Sequence, residues 1–313
     1  MKPLCLILEG GGAKNSFQYG VLKVLTKAGY KFNAASGASF GAINAALFVE
    51  GGMKKVEEFW KEFDAKSLFG EEALNTIFDQ IYRKEEVDTS LVSGMMSLFK
   101  DSLTFIEAAN TRYNMFFNKY IDEASIRNSK MNYGLVVTKV PPFCKDVFLG
   151  GIGDKNPFEL FSSVVKAGGT NRFIDNFEYS GLDLVKDEIP KGKLADYVIA
   201  SASLIPPCYP KELDGNYYVD GGYFDNTPIA MMKMRGYKDF IVIKTNPLDV
   251  NLDDDLYKDI NVKFIAPDYD LGSCAMFSKE NMDNIYELGI NKGKEFIEKE
   301  HGIFTKLKVR NIK

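Results

Sequence analysis

A chain of 313 residues, 45% hydrophobic and 26% charged, can bury a sizeable core and is expected to form one globular domain. Its formal net charge of −4 argues against a nucleic-acid partner, which needs a basic face, and against polybasic attachment to anionic lipid. Cys5, Cys144, Cys208 and Cys274 match no metal-ligand spacing and read as thiols of a reducing compartment, so neither metal nor cofactor is expected.

Leu4–Leu8 is a short apolar run that predicts a strand covered on both faces. It reaches glycines before a signal-peptide core is long enough, and no run approaches the ~18 apolar residues that span a bilayer. The expected location is therefore cytoplasmic, with any contact at a membrane surface made through apolar side chains. After Glu9-Gly10-Gly11-Gly12-Ala13-Lys14, the spacing of Phe17, Val21, Leu22 and Leu25 predicts a helix that ends at Gly29. A second apolar run leads into Gly37-Ala38-Ser39-Phe40-Gly41 and an alanine-rich helix expected to stop at Gly51-Gly52. Two strand–glycine turn–helix units in succession predict an α/β fold with a mostly parallel sheet.

Residues from about 53 to 130 read as a helical insertion, with Leu91, Met95, Leu98, Phe99, Leu103 and Ile106 at helical spacing. Strands are expected at Tyr133–Val140, Lys145–Leu149, Tyr217–Val219, Phe240–Ile243 and Val262–Ile265. Helices are expected at Pro157–Lys166, Leu194–Ser201, after Pro228, and in a charged stretch at about 281–300. Gly168 to Gly192 reads as irregular.

A G-x-S-x-G sequence between strand and helix holds a serine hydroxyl clear of the backbone, with small residues at Gly37 and Gly41 letting the turn close. Serine needs a base, yet the chain has a single histidine, His301, among charges near the end of a polar helix. That placement argues for a solvated surface residue, so a Ser–His–Asp triad is not expected. A carboxylate is the alternative. Asp220 closes an apolar strand before Gly221-Gly222, which let another backbone approach. Gly10-Gly11-Gly12 can turn N–H groups toward the negative charge that develops in acyl transfer, with Lys14 adding positive charge nearby. The same loop fails both the Walker and the dinucleotide spacings.

These pieces, with Ala200-Ser201-Ala202-Ser203 and Asp225-Asn226-Thr227-Pro228 in the same order, resemble the patatin-like phospholipases. The resemblance covers residues 1–52 and 194–245 and implies a three-layer α/β/α fold carrying a Ser–Asp dyad. It implies Ser39 as nucleophile, Asp220 as base, and the N–H groups of Gly10, Gly11, Gly12 and Phe40 as an oxyanion hole. The substrate implied is a phospholipid or other fatty-acyl ester, with the acyl chain lying along the 91–117 region near Met95, Phe99, Met115, Phe116 and Phe117. Lacking an imidazole, the activity is expected to show no acid limb near pH ~6.5. The family's loop has glycine where this chain has Asn15, which leaves open a non-catalytic lipid-binding or regulatory protein; an acyltransferase that passes the acyl group to an alcohol or lysolipid is a further alternative.

Overall fold

The structure is a computed structural model that describes residues 2–63, 102–141, 179–204, 208, 210–274 and 276–301, with the backbone alone for 102–110. Strands β1 (Leu4–Leu8), β2 (Ala34–Gly37), β3 (Asn132–Val140), β4 (Ser180–Val185), β5 (Lys211–Leu213), β6 (Asn216–Val219), β7 (Asp239–Ile243) and β8 (Asn261–Ile265) form one sheet. Its order is β5-β6-β3-β2-β1-β7-β8, with β4 also on β3. Pairing is parallel from β3 through β2, β1 and β7 to β8 and antiparallel where β3 meets β4 and β6 and where β5 meets β6.

The apolar strands explain the layers. Along β1, Leu6 and Leu8 enter one hydrophobic core while Cys5 and Ile7 enter another, as alternation along a doubly covered strand requires. The larger core is shared with α1 (Ser16–Lys27), α2 (Phe40–Glu62), α5 (Leu194–Ser201) and α7 (Lys279–His301). The smaller one is closed by Ile229, Met231 and Met232 of α6 (Ile229–Met234). A mixed sheet between two helical layers is the three-layer α/β/α architecture. Its charged last helix buries Ile285, Ile290, Phe296 and Ile297, and α1 meets it closely enough that a Cβ at Gly289 would lie 2.1 Å from the Phe17 carbonyl oxygen.

Two expectations change. Gly51-Gly52 kinks α2 instead of ending it: Gly52 takes φ +65° and the helix resumes, burying Val56, Phe59 and Trp60. The stretch read as irregular contains β4, which Ser180, Gly181 and Asp183 disguise and which β3 supplies with partners. In the 53–130 region, α3 (Ser102–Tyr120) and α4 (Glu123–Asn128) are helical as expected. Leu91, Met95, Leu98 and Phe99, the strand expected at 145–149 and the helix expected at 157–166 lie outside the described residues, as does Cys144.

One feature of β3 matters for the site. β2 stops at Gly37, opposite Leu135, whereas β3 runs on to Val140. Beyond the end of β2, Thr138–Val140 pair antiparallel with β6, which therefore descends toward the turn after β2 and ends at Val219 opposite Thr138. Asp220 is the next residue.

Candidate active site

Ser39 occupies the turn between β2 and α2 with φ 53° and ψ −135°, a conformation that costs a non-glycine residue about 1–3 kcal/mol unless its surroundings enforce it. The enforcement is visible. A Cβ at Gly41 would lie 2.2 Å from the Leu8 carbonyl oxygen, and one at Gly37 would lie 2.4 Å from the Gly41 carbonyl carbon, so both must be glycine for the turn to close against β1. The Ser39 N–H donates to Ser201 Oγ at 3.1 Å, and Ser39 itself begins α2.

The Ser39 hydroxyl donates to Asp220 Oδ2 at 2.6 Å. Asp220 is only 4% exposed, and its other oxygen accepts the Gly222 N–H at 2.8 Å. Its backbone is fixed from two sides: its N–H donates to the Ser203 carbonyl, and its carbonyl accepts from the Thr138 hydroxyl. Gly221 lies against β3, where a Cβ would meet the Val136 carbonyl oxygen at 2.1 Å. Burial pushes the Asp220 carboxyl up to about 7, against the opposing pull of the hydrogen bonds from Ser39 and Gly222. A carboxyl poised there can both take and return a proton near neutral pH. The expectation of no acid limb near neutrality rested on the missing imidazole alone and took no account of desolvation at Asp220.

The glycine loop needs one correction. The Gly10 N–H donates to the Asn226 carbonyl at 3.1 Å, so Gly10 drops out of the expected donor set. Among the described residues, the N–H groups of Gly11, Gly12 and Phe40 have no protein acceptor. Only Gly12 of the three glycines takes a left-handed φ, +57°, and there a Cβ would sit 2.2 Å from the Cys274 carbonyl oxygen. Asn15, where the family pattern has glycine, is right-handed (φ −69°) and needs no left-handed tolerance. Its side chain donates to the Glu9 carbonyl and to Gln18. Lys14 is largely buried and directs its ammonium to Asn246 at 2.8 Å and Asp270 at 3.4 Å.

A cavity of ≈ 270 Å³ opens at this junction. Its lining is polar at Gly11, Gly12, Lys14, Asn226 and Asn246 and apolar at Phe40, Tyr113, Leu204 and Phe277, and includes Ser39 and Asp220. Of the described residues expected along the acyl chain, Phe117 is instead fully buried beside Phe40 and Met115 is 69% exposed. Tyr113, one helical turn from Phe117, lines the cavity and donates to the Ala202 carbonyl.

His301 lies elsewhere. Its ring meets the Tyr30 hydroxyl at 3.0 Å, and Tyr30 precedes β2 whereas Ser39 follows it. Sequence reading missed Glu9, whose buried carboxylate accepts from Lys244 Nζ at 2.7 Å, the Thr245 N–H at 2.6 Å, the Asn246 N–H at 3.1 Å and the Thr227 hydroxyl at 3.1 Å. It also missed what Ser201 and Ser203 do, although their motif was noted: one holds the Ser39 N–H and the other the Asp220 N–H.

The site is thus a serine of unusual backbone on a strand–helix turn of an α/β/α sandwich, hydrogen-bonded to a buried aspartate. The patatin-like phospholipase model matches residues 6–233, and the chain belongs to that family. Patatin-like phospholipase domain-containing protein 7 of Mus musculus is 25% identical over 250 residues, 79% of this chain and 14% of that protein. Patatin-like phospholipase domain-containing protein 6 of Homo sapiens is 25% identical over 251 residues, 79% of this chain and 14% of that protein. Lysophospholipase NTE1 of Cryptococcus neoformans is 23% identical over 245 residues, 78% of this chain and 11% of that protein. The chain thus spans 11–14% of the length of these relatives. The crystal structure of VipD from Legionella pneumophila superposes with a TM-score of 0.50 at 14% identity, covering 98% of this chain and 70% of that one, a likeness of fold. No helix among the described residues is long and apolar enough to cross a membrane.

Proposed function

We propose that the chain is a lipid acyl hydrolase acting on phospholipid or lysophospholipid esters through a Ser39–Asp220 dyad. The observation that carries this reading is the 2.6 Å hydrogen bond from the Ser39 hydroxyl to a buried carboxylate, made beside three N–H groups that have no protein acceptor among the described residues. The kinship with patatin-like and lysophospholipase relatives supports a lipid ester as the substrate class.

Ser39 Oγ attacks the ester carbonyl carbon as its proton passes to Asp220. The charge on the carbonyl oxygen is met by the N–H groups of Gly11, Gly12 and Phe40, each such donor lowering the barrier by ~3 kcal/mol. Collapse returns the proton from Asp220 to the departing alcohol oxygen and leaves the acyl group on Ser39. Water then attacks that ester, giving its proton to Asp220, which hands it back to Ser39 Oγ as the fatty acid leaves. Phe40, Tyr113, Leu204 and Phe277 offer the apolar lining for the acyl chain.

Two measurements test this. An active-site fluorophosphonate should label the wild-type protein stoichiometrically and Ser39→Ala not at all. Mass spectrometry of a mixed phospholipid extract should show free fatty acid appearing with wild type only. Equal labelling or equal release in Ser39→Ala ends the assignment, and acyl groups found on an added alcohol instead of water would turn it into a transferase.

A further inference from the structure

Resting on the hydrolase reading, we propose that Thr245 is a positioning residue whose hydroxyl sets the direction of the Gly11 N–H. Thr245 follows the end of β7, is completely buried and does not line the cavity. Its hydroxyl donates to the Gly10 carbonyl at 2.7 Å, and Asn226 Nδ2 donates to the same oxygen at 3.2 Å. In a trans peptide the carbonyl and the following N–H point in opposite directions. Of the two donors, Asn226 lines the cavity and Thr245 does not; the shorter bond, from the buried Thr245, draws the Gly10 oxygen away from the cavity and so turns the Gly11 N–H toward it, where Gly11 lines it.

Glycine on both sides of this peptide bond is what makes such a grip necessary. Gly10-Gly11 has no side chain to hinder rotation of the plane, so its orientation must come from partners. Thr245 is in turn immobilised by Glu9, which accepts its N–H at 2.6 Å while pairing with Lys244 at 2.7 Å. The residue before the glycines thus anchors the strand end whose hydroxyl orients them, and Gly11 packs so tightly there that a Cβ would lie 2.5 Å from Thr245 Oγ1.

The test uses Thr245→Val, which keeps shape and backbone N–H but loses the hydroxyl, and Thr245→Ser, which keeps the hydroxyl. A p-nitrophenyl ester is compared with its thionoester, whose sulfur accepts hydrogen bonds poorly and draws little from oxyanion donors. Thr245→Val should lose roughly tenfold to hundredfold in kcat on the ester, with KM unchanged, because a misdirected donor forfeits part of what a deleted one does. On the thionoester the loss should be no more than about threefold, so the ester-to-thionoester ratio collapses, and Thr245→Ser should restore it. A merely structural role lowers both substrates equally, and that result overturns the proposal, as does wild-type kcat in Thr245→Val. If Thr245→Val does not fold, Thr245→Ala against Thr245→Ser gives the same comparison. Ser39→Ala runs alongside: activity surviving there removes the hydrolase reading itself and this proposal with it. Loss there with an unchanged ratio in Thr245→Val removes the positioning role alone.

Discussion

Two carboxylates are buried to the same 4% exposure at one end of the sheet, and their surroundings differ sharply. Around Glu9, just past β1, an ammonium, two backbone N–H groups and a threonine hydroxyl converge on the carboxylate. Around Asp220, past β6, there are one hydroxyl and one backbone N–H, and no cation touches it among the described residues. The first arrangement has the form of a structural fixture, a buried charge paired and saturated. The second leaves a carboxyl that burial pushes up to about 7, able to change protonation during a reaction. Burial alone therefore does not distinguish the two. What sets Asp220, the proposed base, apart is burial without a countercharge among the described residues, next to a hydroxyl with an unusual backbone.

The largest expected effect comes from removing the proton acceptor. Asp220→Asn keeps size and shape but cannot take the Ser39 proton, so kcat on a phospholipid ester should fall on the order of 10⁴-fold. Glu9→Gln should fall far less, because it acts only by loosening the loop. Rates within about threefold of each other in the two variants would abolish the distinction drawn between them.

Stability should order the same two variants oppositely. Asp220 has a folded value near 7 against an ordinary 3.8, so between those limits the folded state binds more protons than the unfolded. Its stabilising contribution is complete below about pH 4 and is lost as pH rises through about 7. Asp220→Asn should accordingly melt higher than wild type at pH 8, by an amount worth at most about 4 kcal/mol, and the advantage should vanish by pH 4. Glu9→Gln leaves Lys244 buried without its counterion and should lose about 3 kcal/mol at pH 8. Denaturant melts of both at the two pH values check the signs.

The two regions were also unequally legible. The serine half is local: strand, tight turn and helix all lie within residues 34–62, and Gly37 and Gly41 are demanded by contacts with β1. Asp220 could be singled out by its motif and by the lack of a usable histidine. How it reaches Ser39 could not, because the approach depends on β3 outrunning β2 and carrying an antiparallel partner. Gly10 read as a donor because backbone availability is invisible in sequence, and Asn226, 216 positions away, had already claimed its N–H. Glu9 read only as the start of the glycine loop for the same reason, its partners lying 218 to 237 positions off. Asn15, the departure from the family pattern, sits in right-handed backbone, the positive φ of the loop falling at Gly12.

The smallest expected effect separates Asp220 from the residue that most often plays its part. The rate should rise with pH through an apparent value near 7, because only the ionised carboxyl accepts the Ser39 proton. A histidine base would produce nearly the same limb, so the curve alone decides nothing. The chain's one histidine sits with Tyr30 at the opposite end of β2 from Ser39. His301→Ala should therefore leave both kcat and the position of the limb unchanged, within a few tenths of a pH unit. Loss of the limb in that variant would hand the base role to the imidazole and return Asp220 to the status of Glu9, a buried carboxylate that holds structure.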